Sequence, residues 1–104
     1  MTPEGKVKTR VKRILDSFGP IIWYFMPVSR GYGRHGIPDI IGCVNGHFFA
    51  IETKAGDKQP TDLQKRELRR IGEARGSSLV INEQNVDNLH EFLRGYCDET
   101  LPKK

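Results

Sequence analysis

The chain has 104 residues and a formal net charge of +4, the size of one small domain with a modest core. No apolar run approaches the ~20 residues of a membrane span, and the charged N-terminus lacks the apolar stretch of a secretory signal. Cys43 and Cys97 match no zinc-ligand spacing, which excludes a Cys/His zinc protein and leaves reduced thiols, as expected in the cytoplasm.

Thr2-Pro3 reads as an N-cap followed by proline at the first helical position. Val7, Val11, Ile14, Leu15 and Phe18 then fall on one side of a helix that Gly19-Pro20 ends. Ile21 to Met26 is a short apolar run with Trp23, Tyr24 and Phe25, which predicts a buried strand with core packing as its main role. The glycine-rich stretch 29–36 is predicted to be a loop. Residues 37–44 and 47–54 flank Asn45-Gly46, the strongest short hairpin signal, because both turn residues tolerate positive φ. Thr61-Asp-Leu-Gln64 has the form of a capping box and opens a helix to about Ala74, with Leu63, Leu68, Ile71 and Ala74 as its apolar arc. Residues 78–82 form a short apolar strand, and Asn85 is expected to cap a last helix through about Tyr96. The order is α-β-β-β-α-β-α, and the helix between the third and fourth strands predicts a parallel crossover unit. A mixed sheet with helices packed against it follows.

The hairpin is the most informative feature. With a two-residue loop, Val44 faces His47, and counting outward sets Asp39 opposite Glu52. Facing side chains on paired strands have Cβ atoms about 4.5–5.5 Å apart, so the two carboxylates repel unless a cation lies between them. A divalent metal is the usual guest. Lys54, two residues past Glu52, projects from the same side of the strand.

Glu4 falls inside the apolar arc of the first helix and Gln64 inside that of the second, and buried polar groups need partners. Each also has a local role. A carboxylate suits a first helical turn, and Gln64 can close its capping box.

Residues 1–36 carry seven Lys/Arg against Glu4 and Asp16, and residues 54–75 carry seven against four acids, whereas residues 83–99 are acidic. A positive charge on two outer helices and one loop suits an anionic partner. Lys65, Arg66, Arg69 and Arg70 lie on the outward arc of the second long helix, and Lys6, Lys12 and Arg13 on that of the first. His35, His47 and His90 form no cluster in sequence, so a histidine base is not expected.

Gly36-x-Pro38-Asp39, twelve intervening residues, Glu52-x-Lys54 and then Gln64-x-x-x-Leu68 resembles the PD-(D/E)XK nuclease superfamily. More narrowly it resembles the virus-type replication-repair nuclease (VRR-NUC) domain in its stand-alone phage or bacterial form. The resemblance spans nearly the whole chain, residues 1–104, as one nuclease domain. It implies an α/β restriction-endonuclease-like core and hydrolysis of phosphodiester bonds with Mg²⁺ or Mn²⁺. It implies Asp39, Glu52 and the Thr53 backbone carbonyl as metal ligands, with Glu4 reaching the same cluster directly or through water. Lys54 would orient the attacking water, and Gln64 would hold Lys54, a phosphate oxygen or a water on the metal. Arg30, Arg34, His35, Lys58, Lys65 and Arg69 are the expected nucleic-acid contacts, positioning a phosphate backbone without reading bases. Stand-alone relatives are implied to act as homodimers on branched DNA such as four-way junctions, in replication and repair. Flap-directed or RNA-directed cleavage on the same fold, and a non-catalytic nucleic-acid-binding module, remain the alternatives.

Overall fold

The computed structural model describes residues 1–28 and 35–98. Helix α1 (Pro3–Asp16) starts at Thr2, whose Oγ1 accepts the Gly5 N–H at 2.9 Å. A 3-10 turn (Gly19–Ile21) follows, then β1 (Ile22–Phe25), β2 (Ile40–Val44), β3 (His47–Thr53), α2 (Asp62–Glu73), β4 (Ser77–Ile81) and α3 (Asn88–Asp98). This is the expected element order with one extra 3-10 turn.

The four strands lie side by side in chain order. β1–β2 and β2–β3 are antiparallel and β3–β4 is parallel, which makes the sheet mixed. Asn45 and Gly46 take φ of 52° and 91°, the left-handed pair of a type I′ turn. The turn fixes the register from Val44↔His47 to Ile40↔Ile51, as counted from the sequence. One sheet face carries Ile40, Val44, Phe49 and Ile51 against Val7, Val11 and Leu15 of α1 and Leu89 and Leu93 of α3. Each such buried side chain contributes roughly 1.5–3 kcal/mol. α2, the helix of the crossover between the parallel strands β3 and β4, packs along β4.

Four expectations differ from what is found. The 21–26 run is a short edge strand, not a buried one. Ile22 is buried while Trp23 and Phe25 are 62% and 44% exposed, because an edge strand alternates sides and only one side meets the core. β2 begins at Ile40, leaving Ile37 and Pro38 outside the ladder. On α2, Leu68 is buried but Leu63 and Ala74 are exposed, and Glu67 is buried instead. The buried positions of the helix are thus Glu67 and Leu68, near its middle. Finally, Asn85 does not cap α3. Its amide donates to the Val80 carbonyl at 3.0 Å and its Oδ1 accepts the Asn82 N–H at 2.8 Å, which ties down the chain leaving β4 and delays the helix to Asn88.

Candidate metal centre

The site is assembled from the start of β2, the end of β3 and one side of α1. Gly36, at φ +83°, approaches the first turn of α2 so closely that an added Cβ would lie 2.5 Å from the Leu63 carbonyl oxygen. Pro38 behind it is buried. The Gly-x-Pro-Asp turn is therefore held against α2, and Asp39 is delivered to the strand end in a fixed pose. Gly36→Ala combines a steric clash with left-handed strain and is expected to cost about 2–4 kcal/mol. A fall in the urea midpoint at unchanged m-value is the check.

Asp39 sits just before the ladder, so its side chain reaches the neighbouring main chain. Oδ2 accepts the Thr53 N–H at 2.9 Å and the Thr53 hydroxyl at 2.7 Å. Oδ1 faces the ammonium of Lys8 at 3.8 Å. Glu52, only 2% exposed, places Oε2 3.4 Å from Lys54 Nζ. Its other oxygen, Oε1, is buried and finds no hydrogen-bond partner among the described residues. Burial, first, and then the Asp39 charge push the Glu52 carboxyl up to about 7, against the pull of Lys54, with Glu4 adding a smaller upward push.

A buried carboxylate oxygen with no donor is costly. Beside a second carboxylate the arrangement suits a cation, and the donors are all hard oxygens of the kind Mg²⁺ and Mn²⁺ prefer. Among the described residues no three His, Cys, Asp or Glu side chains converge on one point. The side-chain ligands on offer are thus Asp39 and Glu52, with main-chain oxygen such as the Thr53 carbonyl to add to them. Glu4, half-buried in the first turn of α1, is felt at Glu52 through its charge but does not complete a third side-chain position.

Gln64 is half-buried, and its Oε1 accepts the Thr61 N–H at 2.9 Å, closing the capping box. Its carbonyl is therefore committed to the helix cap, and an accepting contact to Lys54 is not made. The amide nitrogen is the part suited to donate to a phosphate. An open groove runs from Glu4 past Gly56 to Lys58. His35, Lys58, Lys65 and Arg69 are exposed, Arg69 lying 3.9 Å from Glu73. Arg30 and Arg34 lie outside the described residues. His47 bonds Ser77 Oγ at 2.8 Å and stacks on Tyr96, a structural setting. His90 is exposed with its ring against Phe18.

Sequence reasoning missed Lys8 and the two Thr53 donors. Lys8 follows Glu4 by four residues, so the same helical face already pointed to it. The Thr53 contacts arise from the end of the ladder, which no local pattern marks.

No protein-family model and no curated protein matches the chain. Solved structures do match, among them the following two. One, described as a VRR_NUC domain, has a TM-score of 0.74 at 24% identity and covers 88% of this chain and 97% of its own. The other, a VRR_NUC domain protein, has a TM-score of 0.68 at 19% identity, with 94% and 90% covered. The chain therefore has the fold of the VRR_NUC structures, a four-stranded mixed sheet flanked by helices.

Proposed function

We propose that this protein is a Mg²⁺- or Mn²⁺-dependent nuclease that hydrolyses phosphodiester bonds in branched DNA, working as a homodimer on four-way junctions. The observation that carries the reading is the buried, partnerless Oε1 of Glu52 beside Asp39, on a fold shared with VRR_NUC domains. A divalent cation held by Asp39, Glu52 and the Thr53 carbonyl would polarise the scissile phosphate and lower the pKa of a nearby water. Lys54, held beside Glu52, donates to that water or to the phosphate and offsets charge as the transition state forms. The Gln64 amide donates to a phosphate oxygen next to the α2 N-terminus. Glu4 adds negative charge that favours a cation in the same cluster. His35, Lys58, Lys65 and Arg69, with Arg30 and Arg34, grip the backbone, so affinity falls steeply with salt and depends little on sequence. Among the described residues, the unpaired edge of β1 with exposed Trp23 and Phe25 offers one surface for a second copy.

The test uses purified protein with Mg²⁺ or Mn²⁺ on labelled linear duplex, single strand, flap, four-way junction and structured RNA, beside Glu52→Ala and EDTA controls. Metal-dependent cleavage lost in Glu52→Ala is expected, with the junction cut fastest and sedimentation giving a dimer. Preferred cleavage of the flap or the RNA reassigns the substrate. Binding without cleavage under both metals leaves a non-catalytic module, and a pure monomer at high concentration removes junction resolution.

A further inference from the structure

Each carboxylate of the pair has one oxygen secured by nearby donors, whereas the other faces Lys8 in Asp39 and has no donor among the described residues in Glu52. Asp39 Oδ2 already accepts two donors from Thr53, so Oδ1 is the oxygen available to a cation. That oxygen faces Lys8 Nζ at 3.8 Å, a charge contact longer than a hydrogen bond. Lys8 stands on α1, whose Val7 and Val11 are buried in the core, so its stem leaves the helix at a fixed place. The side chain is 31% exposed and can swing away into solvent.

We infer that Lys8 is the resident counter-cation of Asp39, a positioning residue that occupies the metal-facing oxygen and must yield it when a divalent cation enters. The inference rests on the metal-centre reading above. A divalent cation binds a carboxylate oxygen at about 2.0–2.6 Å, closer than an ammonium and with twice the charge, so it displaces the lysine. The two cations repel and cannot share Oδ1. Lys8 therefore keeps Asp39 oriented and neutralised in the metal-free protein, and it weakens metal binding by competing for that oxygen. Lys54 stands in a different relation, because it contacts Glu52 Oε2 and leaves Oε1 open.

Calorimetric titration of Mn²⁺ alone into metal-free protein tests this without reference to cleavage. Lys8→Gln and Lys8→Met are expected to bind Mn²⁺ roughly twofold to fivefold tighter than wild type, the scale of one partly exposed ion pair. Lys8→Arg should match wild type. Lys6→Gln, which removes an exposed charge from the same helix, should also stay close to wild type. Unchanged or weaker affinity in both Lys8→Gln and Lys8→Met overturns the inference, and so does equal tightening in Lys6→Gln, which would reduce Lys8 to background charge. The metal reading fails separately, and takes the inference with it, if wild type binds no Mn²⁺ or if Glu52→Gln binds it equally well.

Discussion

Asp39→Asn is expected to lower the single-turnover cleavage rate by roughly 10³-fold, comparable with losing a principal charged contact at a reacting centre. The substitution changes charge with little change in shape. An Asn oxygen can still accept from the Thr53 N–H and hydroxyl, so the link between the turn and the end of β3 survives. What is lost is the anionic oxygen that now faces Lys8. An NH₂ group in its place is a donor aimed at an ammonium, and it cannot coordinate a metal. Circular dichroism and thermal melting should report a folded protein. Folded Asp39→Asn protein that cuts within about tenfold of wild type would remove Asp39 from the catalytic site.

The second large effect concerns stability against pH. In the metal-free protein the Glu52 carboxyl is raised from 4.5 to about 7, chiefly by burial and by the Asp39 charge. A raised acid favours the folded state while it holds its proton. The contribution is complete below pH 4.5, where the unfolded chain is protonated too, and is lost as pH rises through about 7. The folded state binds more protons across that window, so stability falls with rising pH, by about 3 kcal/mol in all from this one group. Glu52→Gln resembles the protonated acid and does not titrate. Urea unfolding in EDTA should find the variant's advantage over wild type growing by about that amount between pH 4 and pH 8. Mn²⁺ should restore wild type at the alkaline end and do nothing for the variant, because only the ionised carboxylate binds it. Parallel pH profiles for the two proteins would show that Glu52 titrates normally and is not buried in the way described.

Both effects come from a pair of carboxylates whose meeting follows from spacing along the chain. Asn45-Gly46 sets a two-residue turn, and a period of two then carries the count from Val44↔His47 outward to Ile40↔Ile51. The capping box at Thr61 and Gln64 and the N-cap at Thr2 were equally legible, because each is a local pattern of side chain and main chain. The last helix was legible as an element but its start was not. Asn85 has the right chemistry for a cap, and the choice to bond Val80 instead depends on where β4 ends.

The candidate site divides in the same way. The sequence by itself determined the element order, the hairpin register, the approach of Asp39 to Glu52 and the shared side of Lys54, since all of these follow from spacing along one continuous stretch. Only the tertiary structure decided that Lys8 meets Asp39, that Thr53 holds one of its oxygens and that Oε1 of Glu52 is left buried without a donor among the described residues. The physical reason is that hydrogen-bond partners and solvent exposure belong to groups brought together from α1, β2, β3 and α2. No periodicity within one segment records which atom of a carboxylate a distant helix will reach, or which will be left waiting for a cation.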